Sequence, residues 1–376
     1  MSDIDEDSAA FDAGKTWVIK IGSSLLTEDG AGLATESMSR WVEQIAKLHS
    51  AGLRIVLVSS GAVAEGMSRL KMKKRPRSLP MLQAAAAVGQ MGLVQAYESL
   101  FQQYDLHTAQ ILLTHADFRS RERYINARGT LRNLLDMGVV PVVNENDTVV
   151  TDEIQFGDND TLAALVANLI EATTLLLLTD QEGLFDQDPR KSSAASLILK
   201  RSANDPHLEG MASGGSEFGR GGMVTKVKAG RIAARGGANT IIANGRHENV
   251  ISLVAEGEIT GTLLLADREV LVSRKQWLAG LTSKGKIFLD SGAVRVIKDK
   301  GRSLLSVGVH SVEGAFTRGD MVECIDESGK EIARGLINYS HVETTAICGR
   351  SSLDIEAILG YSGEEELIHR DNLVII

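Results

Sequence analysis

Two lysines in this chain stand beside backbone that can approach an anion closely. Near the start the chain reads Val18-Ile19-Lys20-Ile21-Gly22-Ser23-Ser24, and in mid-chain Gly221-Gly222-Met223-Val224-Thr225-Lys226. Small residues leave N–H groups open to phosphate oxygens, and lysine adds a point charge. Two such elements, far apart in sequence, imply one phosphate cluster gripped from two sides, which is the chemistry of phosphotransfer. The Gly-x4-Gly-Lys-Ser/Thr spacing of a Walker loop is absent, which speaks against a P-loop nucleotide fold.

Other polar groups gather at comparable places. Val58-Ser59-Ser60-Gly61-Ala62 reads as a strand entering a small-residue turn and then a helix. Ser60 there could hold a substrate carboxylate, or simply cap the helix. Asn144-Glu145-Asn146-Asp147 and Gly157-Asp158-Asn159-Asp160 flank one strand end. Polar groups so dense beside a buried strand are costly unless they bind something. The loop Thr179-Asp180-Gln181-Glu182-Gly183-Leu184-Phe185, with Asp188-Pro189-Arg190 after it, could line a nucleotide pocket or form a plain turn. Lys71-Met72-Lys73-Lys74-Arg75-Pro76-Arg77 could draw in anions, but charge runs are usually solvated loops.

The elements that must position these groups alternate. Apolar runs at 16–21, 53–58, 108–113, 139–143, 175–179 and 240–243 predict strands. They are rich in Val, Ile and Leu on both faces, as strands buried between helix layers must be. Residues 36–50, 79–104, 121–136, 161–170 and 223–235 predict helices. That order implies a three-layer α/β/α sandwich with a mainly parallel sheet, and ligands gather at the carboxyl ends of such strands. After about residue 265 short strands at 286–289, 322–325 and 332–337 alternate with turns, among them Asp290-Ser291-Gly292 and Arg318-Gly319-Asp320. The expected division is an acidic flexible tail at 1–13, an α/β domain at 14–267, a linker at 268–283 and a small β-rich module at 284–376.

Composition narrows the function classes. Forty Lys+Arg against forty-nine Asp+Glu give a net charge of −9, so the chain as a whole is not steered toward nucleic acid. Two cysteines, Cys324 and Cys348, cannot build a disulfide framework and fit a reducing cytoplasm. The Cys and His spacings do not suggest a zinc site. The first twelve residues carry five acids and no base, the opposite of a secretory signal, and no apolar run is long enough to span a membrane.

Together these motifs resemble the amino-acid kinase family, and the resemblance covers nearly the whole chain. Asn144-Glu145-Asn146-Asp147 is its most specific piece. After the first lysine the chain has Gly22-Ser23 where members acting on N-acetylglutamate typically show Gly-Gly. The C-terminal module is similar to a PUA domain, a small barrel, whereas members acting on aspartate carry ACT domains. The branch so singled out acts on glutamate. The resemblance implies ATP-dependent phosphorylation of the side-chain carboxylate of L-glutamate to L-glutamyl 5-phosphate, the first step toward proline. It implies that Lys20 and Lys226 stabilise the transferring phosphoryl group and that Asp160 orients them. It assigns Ser60, Asp147 and Asn159 to glutamate. It assigns Lys20, Thr179, Asp180, Arg220, Gly221, Gly222, Met223, Val224, Thr225 and Lys226 to ATP, although Arg220 stands where a small residue is common. Mg2+ would accompany ATP, with no direct protein ligand named. L-proline would act as feedback inhibitor, and the protein would form a cytoplasmic homo-oligomer, a dimer or tetramer. Two rivals remain: a sister kinase with another acceptor, and RNA binding by the C-terminal module. Arg295, Lys298, Lys300, Arg302 and Arg318 supply positive charge there, but acids are interleaved and aromatics for stacking are sparse.

Overall fold

A computed structural model of the protein describes residues 15–27, 32–149, 159–213, 222–258, 260–267, 281–361 and 363–376. The expected acidic tail, Gly157, Asp158, Arg220, Gly221 and most of the expected linker lie outside the described residues. The chain forms two compact units, Met1–Phe118 with Ala127–Val270, and Arg119–Asn126 with Leu271–Ile376.

In the first unit β1 (Thr16–Ile21) is buried at all six positions. It leads through a short turn of helix, α1 (Ser23–Leu26), to α2 (Thr35–Ser50), β2 (Arg54–Ser59), α3 (Ala62–Arg69) and α4 (Leu79–Phe101). Next come β3 (Thr108–Leu113), α5 (His115–Arg119), α6 (Arg121–Asp136), β4 (Val140–Glu145), α7 (Asn159–Leu169) and β5 (Thr174–Thr179), although the last residue of α5 and residues 121–126 of α6 group with the second unit. The unit ends with β6 (Lys200–Ser202), α8 (Leu208–Ser213), α9 (Met223–Arg235), β7 (Asn239–Asn244), α10 (Val250–Ala255) and β8 (Gly261–Leu265). The eight strands form one sheet in the order β3-β4-β2-β1-β5-β7-β8-β6, parallel at every pairing except β7 with β8. The expected mainly parallel α/β sandwich is therefore present. The short β6 and the antiparallel β8 go beyond the strands that the apolar runs predict.

The sheet dictates where Lys20 points. Side chains alternate between the two faces of a strand. Trp17, Ile19 and Ile21 join the core beneath α2, α4 and α10, so Lys20 faces the opposite layer, where α7 and α9 pack. β1 lies between β2 and β5. The chain leaves β1 toward one side and later returns to lay β5 on the other, which opens a crevice at the carboxyl ends of these strands.

Two glycines set how closely α3 and α4 approach. A Cβ on Gly66 would stand 1.7 Å from the Ala85 carbonyl oxygen, and one on Gly89 would stand 1.8 Å from that of Ala62. The helices therefore meet backbone to backbone, which fixes both the turn before α3 and the residue after Gly89.

The second unit holds β9 (Gly285–Leu289), α11 (Ser291–Lys300), β10 (Val309–Gly314), β11 (Met321–Ile325), β12 (Glu331–Leu336), α12 (His341–Ile347), α13 (Ile355–Leu359) and β13 (Leu373–Ile375). Its five strands form a mixed sheet over a core that includes Ile287, Val322, Cys324, Ile332 and Tyr339. Asp290-Ser291-Gly292, expected as a turn between strands, instead opens α11. The Asp290 side chain accepts from the Ala293 N–H at 2.7 Å, an N-cap, and Ile297 of α11 is buried in the core. Among the described residues no helix is long and apolar enough to cross a membrane.

Gly89→Ala should destabilise the protein by about 1–3 kcal/mol through overpacking of a backbone contact. Urea unfolding would check this; a midpoint equal to that of the wild type would contradict the close crossing.

Candidate active site

Three charged side chains meet behind the carboxyl end of β1. Lys20 Nζ lies 2.6 Å from Asp160 Oδ1, and Lys226 Nζ lies 3.1 Å from Asp160 Oδ2. Lys20, Asp160 and Lys226 are 5%, 3% and 7% exposed. They come from β1, from the first turn of α7 and from the second turn of α9. Thr225 donates to Asp160 Oδ2 at 2.7 Å and also reaches the Gly222 carbonyl at 2.8 Å. Burial by itself would raise the Asp160 carboxyl. The ammonium charges of Lys20 and Lys226, with their hydrogen bonds, outweigh it and hold that carboxyl well below the usual range.

The charges do not balance. Among the described residues two ammonium groups share one carboxylate, so these three buried side chains together carry one net positive charge. Isolated buried charge costs several kcal/mol per ion, and an anion relieves it. α9 adds to the attraction, since its N-terminus has no side-chain cap and its N–H groups and dipole favour negative charge. Gly222, which precedes α9, has φ +121 and ψ −160, a conformation essentially confined to glycine.

A second group of polar side chains lies at the ends of β2 and β4. Asn159 Nδ2 lies 2.9 Å from Ser59 O, 3.1 Å from Ser60 Oγ and 2.8 Å from Asn144 Oδ1, so its two hydrogens are shared among three acceptors. Its N–H groups are thus used within the protein, and its amide oxygen is the polar atom left to offer a ligand. Ser60 is not the cap of α3: Gly61 holds that position, with φ +98. Asp147 lies on the stretch just after β4, two residues beyond Glu145. Burial and the negative charge of Glu145 push its carboxyl up to about 7, against an opposing pull from Arg75. Glu145 is itself 4% exposed, and its Oε1 has no hydrogen-bond partner among the described residues. His115 Nδ1 is 3.7 Å from that oxygen. The neighbourhood is acidic and suits a cation.

A half-open cleft with a cavity volume of about 80 Å3 lies beyond the carboxyl end of β5. Gln181, Gly183 and Phe185 line it, with Met211 of α8 and Met223 of α9. Thr179 Oγ1 donates to Asp180 Oδ1 at 3.3 Å. The following loop is tied to β7, where Asn244 Nδ2 donates to Glu182 Oε1 at 2.8 Å and His247 Nε2 lies 2.6 Å from Glu182 Oε2.

The structure thus gathers Lys20, Asp160, Thr225 and Lys226 in one cluster, and Ser60 with Asn159 in another. Met223 is on the cleft, Val224 is half-buried, Thr179 is buried and Asp180 is exposed. Asn144, named in the sequence as part of the Asn144–Asp147 run, belongs to the second cluster, and so does Gln90, which the sequence did not single out. The sequence offered little signal for it, since Gln90 is one of three glutamines in the otherwise largely apolar α4. The described residues contain no group of three His, Cys, Asp or Glu that could hold a metal. Both Asp160 oxygens are engaged, so these residues do not by themselves make a cage for Mg2+.

A carboxyl-detected NMR titration should find one group with its midpoint near pH 7, missing in Asp147→Asn. Its absence from the wild type, with every carboxyl titrating near about pH 4, would contradict the placement of Asp147.

Residues 15–244 match the amino acid kinase family, and residues 285–359 match the PUA domain. The chain is 60% identical to the glutamate 5-kinase of Hahella chejuensis over 96% of its own length and 94% of that protein. It is 58% identical to the glutamate 5-kinase of Saccharophagus degradans, covering 96% and 97% of the two chains. With that of Nitrosococcus oceani the identity is 59%, over 97% and 98%. A buried lysine pair on one carboxylate, set at the strand ends of an α/β sheet, accords with these matches, and the chain belongs to the amino acid kinase family.

Proposed function

We propose that the protein transfers the terminal phosphoryl group of ATP to the side-chain carboxylate of L-glutamate, giving ADP and L-glutamyl 5-phosphate. The observation that carries this reading is the pair of buried ammonium groups on Asp160, together with about 60% identity to glutamate 5-kinases over nearly the full length. The acceptor needs no general base, because a carboxyl with a pKa near about 4.3 is already ionised at neutral pH. The difficulty is to bring an anion up to a polyanion. Lys20 and Lys226 answer it by meeting the phosphoryl oxygens as charge builds on them, and Asp160 holds both ammonium groups in place before the substrates arrive.

Glutamate is held at the second cluster. Its ammonium suits the acidic side, where Asp147, Glu145 and the amide oxygen of Asn159 all accept. Asn159 is not placed on the substrate carboxylate, because the N–H groups that role needs already serve Ser59, Ser60 and Asn144. Ser60 remains for a substrate carboxylate. ATP occupies the cleft beyond β5, in reach of Thr179, Asp180 and the segment from Arg220 to Lys226. Mg2+ enters with the nucleotide, on phosphate oxygens and water. Inhibition by L-proline, a homo-oligomeric state and a cytoplasmic location belong to the same reading.

ADP release measured with ATP and Mg2+ should depend on L-glutamate and not on aspartate or N-acetylglutamate; release with another acceptor alone would overturn the substrate. Lys20→Ala and Lys226→Ala should each lower kcat by about 10²–10³, with glutamate KM within about threefold; near-normal kcat in both would sink the mechanism. Asp147 must be ionised to take an ammonium. Glutamate KM should therefore fall as pH rises through about 7, and Asp147→Asn should raise KM and flatten that profile. A profile unchanged in this variant would remove Asp147 from the site.

A further inference from the structure

Three buried amides from α4, β4 and α7 meet at the second cluster, and two backbone groups show which atom each amide presents to its neighbour. Asn159 faces the carbonyl oxygen of Ser59 at 2.9 Å. A carbonyl only accepts, so the atom presented to it is Nδ2. Asn144 faces the backbone N–H of Glu145 at 2.9 Å. That group only donates, so the atom there is Oδ1, which also receives Asn159 Nδ2 at 2.8 Å. The Nδ2 of Asn144 is thereby directed onto Gln90, at 2.6 Å. Gln90 then has one consistent orientation, with Oε1 toward Asn144. Its Nε2 is left buried without a partner among the described residues. Turning the Gln90 amide would set two donors against each other at that short distance. The unpaired N–H is a cost, and it accompanies a locked chain of amides.

We propose that Gln90 is a positioning residue of the acceptor site: by fixing the Asn144 amide it locks Asn159, and through Asn159 the Ser60 hydroxyl at the carboxyl end of β2. Gln90 is 8% exposed. Its neighbour Gly89 is pressed against the backbone of α3, so α4 cannot shift to compensate. The helix crossing and the substrate cluster are thus joined by one side chain. Gln90 does not touch the substrate; it acts on the two residues proposed to do so, and the inference rests on glutamate being the acceptor.

Steady-state kinetics of the full chain with ATP and L-glutamate test this. Gln90→Met fills the same space but offers Asn144 no acceptor. Gln90→Asn keeps the amide and withdraws it by one methylene. Gln90→Glu retains an acceptor toward Asn144. Glutamate KM should rise about tenfold in Gln90→Met and Gln90→Asn, with ATP KM within about twofold, and Gln90→Glu should stay within about threefold of the wild type. A merely structural role would raise both KM values together and would not spare Gln90→Glu. The inference is overturned by an unchanged glutamate KM in Gln90→Asn, which decides alone if Gln90→Met does not fold. It is overturned equally by parallel rises in both KM values. A wild-type protein without glutamate-dependent ADP release would overturn the functional reading itself.

Discussion

One carboxylate shared by two buried ammonium groups is the constraint on which this molecule turns. Lys20 can sit beneath α7 and α9 only because β1 is a central strand whose alternate side chains fill the opposite core. Asp160 and Lys226 reach it only because both helices begin at the same end of the sheet. The result is a rigid site with a surplus of positive charge, already oriented and largely dry. Such preorganisation is worth most where water cannot screen it. It also requires that the site be completed by an anion.

The neighbouring cluster has the opposite polarity. Glu145 and Asp147 lie close enough that the first raises the second. On the proposed reading, a substrate with an ammonium at one end and a carboxylate at the other would be aligned by these two fields, the ammonium toward the acids and the side-chain carboxylate toward the lysines. One helix start serves both ends, since Asn159 and Asp160 are consecutive at the beginning of α7. Displacing α7 would disturb the phosphoryl site and the acceptor site together.

Much of this was legible in the sequence. Val, Ile and Leu on both faces marked the central parallel strands, because a strand buried on both sides has no polar period to lose. Glycines beside Lys20 and Lys226 marked the chain turns next to the two lysines that meet on Asp160. The residues that escaped are those whose meaning is tertiary. Gln90 sits in an apolar helix, and only the fold brings it to Asn144. The use of Asn159 as an inward donor depends on the Ser59 carbonyl, a backbone group that carries no sequence signal. Asp290-Ser291-Gly292 was misread because turn residues and N-cap residues are the same types; the side-chain bond to Ala293 decides between them. The short β6 pairs only with β8 at the edge of the sheet, and three residues carry too little pattern to be seen.

The central claim is that the surplus charge of Lys20 and Lys226 is aimed at the group in flight. A crystal structure with ADP, L-glutamate and aluminium fluoride, a mimic of the transferring phosphoryl group, tests it most directly. The account predicts both Nζ atoms within about 3 Å of the fluorides, with Asp160 still bonded behind them. A complex in which the fluorides are held elsewhere, while both lysines remain turned onto Asp160 and out of reach, would contradict it.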